Sequence, residues 1–311
     1  MHTPQVLERS GIGARDVLEA AGVDVKVELP GVGWNFQSHN SFSVNYTFGA
    51  DVFPTLPDLL TNPALQQEAM QLWVANKTGP FAGYVNSGIY IPFTTFSSEG
   101  ENLVAKLEDQ TPEQYLPEGI DPTLVAGYAV QKEILTQRLL SNKSAWLESP
   151  LFPLNPFSVF LLHGFSRGSV HISPDDNGIN TEPLIDYRAL SNPIDMDLTV
   201  ELLKGVRWYM GHEAMVEAIQ PTEIAPLVTD DEEIREHFLA NLDFSVPHQF
   251  GTAALGPRSL GGVVGADLRV HGVGRLSVAD NSVVPMVPGA HPLATAYAIG
   301  EKAADLILRR T

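Results

Sequence analysis

The chain has 311 residues, 44% of them hydrophobic, and no cysteine. That length allows one large domain or two ordinary ones, and the missing thiols exclude disulfides, thiol catalysis and zinc–thiolate sites. Nineteen basic residues stand against 37 acidic ones, a net charge of −18, and such a surface repels phosphate backbones and anionic lipid, so neither nucleic acid nor a membrane is an expected partner.

No apolar run approaches the roughly 18 residues that span a bilayer, and a soluble protein is expected. Met1 leads into His-Thr-Pro-Gln with neither a charged nor an apolar leader region, so no signal peptide is expected in this chain. Three glycosylation triplets, at Asn45, Asn76 and Asn142, lean weakly toward secretion.

A helix is predicted from about Arg15 to Ala21, stopped by Gly22. Val23–Leu29 alternates like a strand and is followed by a Pro30-Gly31-Val32-Gly33 turn. Asn62-Pro63 caps a helix to about Asn76, with Leu65, Ala69, Leu72 and Trp73 on one face. Asp121-Pro122 starts another, with Leu124, Tyr128, Ile134 and Leu135 inward. Phe157–His163 and Ser169–Ser173 read as strands joined by Gly164–Gly168. Helices are expected over Asp195–Met210 and Asp230–Leu242, the second with a carboxylate-rich first turn that suits the helix dipole. Arg275–Ala279 reads as a short strand and Pro292–Leu308 as a helix.

Gly164-Phe165-Ser166-Arg167-Gly168 matches the Gly-x-Ser-x-Gly nucleophile elbow, with Asp280 and His291 following in triad order. An elbow runs from strand into helix, however, and here a second strand follows. His212-Glu213 opens like a zinc motif, but Val216 holds the second histidine's place, so no metal is expected.

Three stretches resemble the glucose-methanol-choline (GMC) oxidoreductase family. The first is His2-Thr3-Pro4-Gln5-Val6-Leu7-Glu8-Arg9-Ser10-Gly11-Ile12-Gly13 with Gly31-Val32-Gly33-Trp34-Asn35-Phe36-Gln37-Ser38-His39, where Ser38 replaces the usual Asp. The second is Ser166-Arg167-Gly168-Ser169-Val170 with Pro183-Leu184-Ile185-Asp186-Tyr187. The third is His248-Gln249-Phe250-Gly251-Thr252-Ala253-Ala254-Leu255-Gly256-Pro257, then Leu276–Pro285, then Gly289-Ala290-His291-Pro292-Leu293-Ala294-Thr295. The resemblance is to the latter half of the family. Gly31-Val32-Gly33 is followed by Trp34, Asn35 and Phe36, so it is not the Gly-x-Gly-x-x-Gly that seats a dinucleotide diphosphate.

The resemblance implies an α/β (α+β) fold. Residues 1–39 and 265–311 would belong to a partial FAD-binding layer, and residues 40–264 to a substrate-binding domain on an antiparallel sheet. It implies an FAD-dependent alcohol oxidase or dehydrogenase, with His248 taking the hydroxyl proton, His291 stabilising the alkoxide and flavin N5 accepting the hydride. Ala279 and Asp280 would lie near the ribityl–phosphate portion. Pro292 and Leu293, at a helix start, would face the anionic edge of the reduced ring. The expected partners are a small-molecule alcohol and a missing N-terminal half or second polypeptide, because this chain alone is not expected to seat the whole cofactor. Two other readings remain open: a non-redox cyclase or dehydratase using the histidine pair, and an inactive truncated homologue.

Overall fold

The computed structural model describes residues 1–49, 56–82, 88–150, 156–241 and 246–309. Its centre is a five-stranded antiparallel sheet in the order β4-β5-β6-β3-β9. The strands are β3 (Asn40–Thr47), β4 (Gly88–Pro92), β5 (Ala145–Pro150), β6 (Phe157–Leu161) and β9 (Thr222–Ala225). The two-residue strands β1 (Ile12–Gly13) and β2 (Val27–Glu28) pair in parallel. β7 (Ser169–His171) and β8 (Leu184–Asp186) pair antiparallel.

Strand β3 shows the period of two that a one-sided sheet demands. Phe42, Val44 and Tyr46 are buried while Ser43 and Thr47 are exposed. The buried set joins Val159, Leu161 and Leu147 in a core covered by α6 (Gly100–Glu108), α7 (Pro122–Leu139) and α8 (Ile194–Met210). Lys132 on α7 is buried, and its ammonium donates to the carbonyls of Leu107 and Gln110. A cation thereby closes the open carbonyl end of α6, where the helix dipole is negative.

A second core gathers both ends of the chain: Leu7, Ile12, Leu29 and Val32 with Ala253, Val263, Val264, Val270, Val278 and Ala303. It holds α1 (Thr3–Arg9) and the last helix, Pro292–Leu308, which matches its sequence-based bounds; α2 spans Arg15–Ala20.

Elsewhere the structure departs from the sequence pattern. Strand Val23–Leu29 shrinks to Val27–Glu28, because its partner ends where α2 begins. The strands at 157 and 169 do not form a hairpin. β6 pairs with β3 and β5, β7 with β8, and the 164–168 turn carries the chain between sheets. Buried Asp195 holds that turn by accepting the amides of Phe165 and Ser166 at 2.6 and 2.8 Å. Ser166 Oγ accepts the Asn192 amide, and His212 Nδ1 accepts the Ala214 amide, so neither residue serves the motif it mimics. The helix Pro63–Asn76 is capped by Asn62 as expected, yet of its apolar face only Ala69 is buried, while Leu72 and Trp73 are exposed. Arg275–Ala279 contributes only an isolated bridge from Ser277 to Arg269. The helix expected over Asp230–Leu242 runs Asp231–Asn241; Leu242 lies outside the described residues.

Gly251 has a φ of +94°, and a Cβ there would run into the Asn35 carbonyl oxygen. Gly251→Ala is expected to lower stability by about 1–3 kcal/mol, seen as a reduced Tm in thermal unfolding, whereas an alanine at exposed Gly274, which meets nothing, should leave it unchanged.

Candidate active site

His248 and His291 come together with ring centroids 4.5 Å apart and planes inclined by 62°. Both rings lean on Phe160 of β6, at 5.5 and 5.6 Å. Phe160 faces Glu148 across the β5–β6 pair, and Glu148 Oε1 lies 2.5 Å from His291 Nε2 while accepting the Tyr90 hydroxyl at 3.1 Å. The sheet thus supplies an aromatic floor and a buried carboxylate beneath the two imidazoles.

The loop before β3 sets their spacing. Its Asn35 sits at φ 63°, a left-handed conformation that Asn tolerates better than most residues. The side-chain amides of Asn35 and Gln37 both donate to the Pro285 carbonyl, at 3.0 and 2.9 Å. Gln37 Oε1 accepts the Val287 amide, and Gln37 bridges by backbone to Phe250. His163 Nδ1 donates to the Val287 carbonyl at 3.2 Å and His39 Nε2 to the Pro288 carbonyl at 3.0 Å. The approach to His291 is therefore pinned by four side chains, three of them from one loop that also grips the segment carrying His248.

Burial governs the electrostatics, because a low-dielectric setting disfavours the charged form. Desolvation, then the neighbouring His248 and, weakly opposed by the Pro288 carbonyl, His163 and His291, lower His39 to about 3. Desolvation and then His291 lower His248 to about 4. His163 falls to about 4, mainly through desolvation. Glu148 moves the other way: burial raises its carboxyl, opposed by His291 and Tyr90. Near neutral pH, His248 is thus an uncharged base, while burial shifts Glu148 toward its neutral form.

A cavity of about 430 Å³ lies along the segment that carries His248. Pro247 and Gln249, on either side of His248, line it together with Asp280, Asn281, Ser282 and Ala296 of the last helix. Asp280 makes the Asx turn expected of it, accepting the Ser282 amide at 2.7 Å, and its other oxygen accepts the Thr3 hydroxyl at 2.6 Å. Ala279 is exposed and does not line the cavity. Pro292 is the first residue of the last helix, His291 at its start makes no side-chain cap, and Leu293 is exposed. The first-turn amides of that helix therefore lack intrahelical partners. Sequence reasoning passed over His39, Glu148, Tyr90 and Phe160. The one available hint was Glu148 itself, an acid inside the apolar strand Ala145–Pro150.

Three histidines that are neutral when folded and protonate near pH 6.5 when unfolded make folding sensitive to acid. Between about pH 6.5 and 4 the unfolded chain binds more protons, so stability falls as pH drops through that window. His163→Phe is expected to flatten this acid-side loss, as measured by urea unfolding midpoints at pH 7.0, 6.0, 5.0 and 4.5. An unchanged slope would refute a neutral buried His163.

A family model described as GMC oxidoreductase matches residues 164–300. The chain is 35% identical over 315 residues to the dehydrogenase xptC of Emericella nidulans, covering 99% of this chain and 50% of that protein. It is 32% identical over 319 residues to a dehydrogenase of Armillaria gallica, covering 99% and 49%. Among solved structures, an FAD-dependent oxidoreductase from Chaetomium thermophilum superposes with a TM-score of 0.91 at 31% identity. A fungal aryl-alcohol oxidase does so with 0.90 at 35%. Each alignment covers 99% of this chain and 53% of the other. With the motifs in order from His2 to Thr295 and the fold matched throughout, the chain is similar to the C-terminal half of GMC oxidoreductases and spans about half the length of the curated relatives it matches.

Proposed function

We propose that this chain carries the substrate-binding and proton-transfer half of an FAD-dependent alcohol oxidoreductase. The observation that supports it is the imidazole pair, 4.5 Å apart, with the chain neighbours of His248, Pro247 and Gln249, lining a cavity that also reaches Asp280, Asn281 and the last helix. Residues 40–264 hold the alcohol, while 1–39 and 265–311 form the chain's share of the flavin layer; the second core supports this in part, since it joins both ends but also draws on Ala253, Val263 and Val264 of the middle segment.

The residues present suit the ring end of such a cofactor. Asn281 Oδ1 and Ser282 Oγ are buried without a partner beside the cavity. Asp280 and the helix start at Pro292 and Leu293 flank them, with Ala279 adjoining. A Gly-rich diphosphate seat is not among this chain's motifs. When bound, the flavin supplies the hydride acceptor that no side chain can provide.

The protein's own contribution is proton handling. His248, uncharged and desolvated, takes the hydroxyl proton. Glu148, 2.5 Å from His291 Nε2, holds that ring beside His248, where it stabilises the developing alkoxide. Phe160 keeps both rings apart from bulk water on the sheet side.

In flavin-loaded protein, with the flavin-binding segment supplied, alcohols should bleach the flavin absorbance under anaerobic conditions. His248→Ala should slow bleaching by about 10²–10⁴-fold with the flavin spectrum retained. His291→Ala should slow it by about 10²-fold. Undiminished bleaching in His248→Ala would remove the assignment, and a colourless protein that still transforms an alcohol would favour acid–base chemistry without redox.

A further inference from the structure

His39 is fully buried and makes two contacts that together dictate where protons sit. Its Nε2 lies 3.0 Å from the Pro288 carbonyl oxygen, which can only accept, so Nε2 carries the hydrogen. A second ring proton would make His39 a cation with no carboxylate partner. The nearby ionisable groups are His248, His163 and His291, each of which disfavours such a charge. Nδ1 of His39 is therefore a bare lone pair. Three ångströms away is Nδ1 of His248, and the contact is a hydrogen bond only if that atom bears the hydrogen. In a neutral imidazole only one nitrogen does. His248 Nε2 is thus left unprotonated. It makes no hydrogen bond to any described residue, and it is not among the atoms sealed from solvent without a partner.

We propose that His39 is a positioning residue: by accepting the Nδ1–H of His248 it fixes the tautomer whose bare Nε2 is left free to take a proton. This rests on the reading of His248 as the alcohol base. The arrangement works in the manner of an oriented base in an acyl-transfer triad, where a third group holds the imidazole in the useful tautomer, but here that group is an uncharged imidazole anchored on a backbone carbonyl. Once Nε2 is protonated, the His39 lone pair remains as acceptor for the positive ring, and the chain His248–His39–Pro288 spreads the charge away from Nε2. Because Pro288 is three residues from His291, the same carbonyl ties the tautomer of one imidazole to the placement of the other.

The test starts with long-range proton–nitrogen correlation spectra of protein labelled with ¹⁵N-histidine. His248 should show a protonated Nδ1 and a bare Nε2. A protonated Nε2 overturns the proposal without any variant. In His39→Leu the Nδ1–H form should give way to a mixture or to the Nε2–H form. Flavin-loaded protein should then lose kcat by about tenfold or more with KM within about twofold. His39→Asn, whose side-chain oxygen sits near the position of Nδ1, should restore most of both. A folded His39→Leu protein with the wild-type tautomer overturns the proposal. Should the tautomer behave as described while His248→Ala oxidises alcohols at the wild-type rate, the identity of the base fails and the contact between His39 and His248 stands.

Discussion

Two primary amides, those of Asn35 and Gln37, converge on a single carbonyl at Pro285, and the arrangement of this molecule's chemistry depends on that convergence. Buried polar groups must find partners, since leaving one unpaired costs about 1–3 kcal/mol. Here the partners lie across more than two hundred residues of sequence, so each satisfied group also fixes a distance. Asn35 and Gln37 draw the 285–288 segment toward the loop before β3, Gln37 bridges to Phe250, and His39 and His248 meet as a result. The strained conformation at Asn35 and the Gly251 position that admits no side chain are the local cost of bringing three backbones so close.

The imidazoles and the carboxylate respond to one environment in opposite senses. Withdrawal from water favours whichever form is neutral, which lowers His39, His163 and His248 and raises Glu148. This local pull toward neutral forms acts within a molecule that as a whole carries −18. Aromatic walls contribute to this: Phe160 under both rings and Trp146 against His163 at 5.2 Å displace water without offering competing hydrogen bonds.

Much of this was legible in the chain and some was not, for a consistent reason. Helix ends were readable because their signals are local: Asn62 and Asp121 cap helices by accepting amides two residues on, and Gly22 takes the positive φ that its position suggested. The family was readable because its motifs retain both identity and order. Pairing partners were not. A period of two marks Phe157–Leu161 as a strand but says nothing of whether the neighbour is the next strand or one a hundred residues earlier. The helix Pro63–Asn76 shows the related limit, since periodicity reports an apolar face without reporting what covers it. His39 lay in plain view within a recognised loop, yet its part emerges only from a contact at a separation of 209 residues.

That separation has a consequence for how the molecule comes to exist. Drawing together segments so distant costs loop-closure entropy that grows as roughly (3/2)RT ln n, and a fold rich in such distant contacts folds more slowly than one built from local contacts. His39, Glu148, His248 and His291 arrive from four regions of the chain and none neighbours another along it. The geometry of this quartet is therefore a property of the assembled tertiary fold and of no single local element.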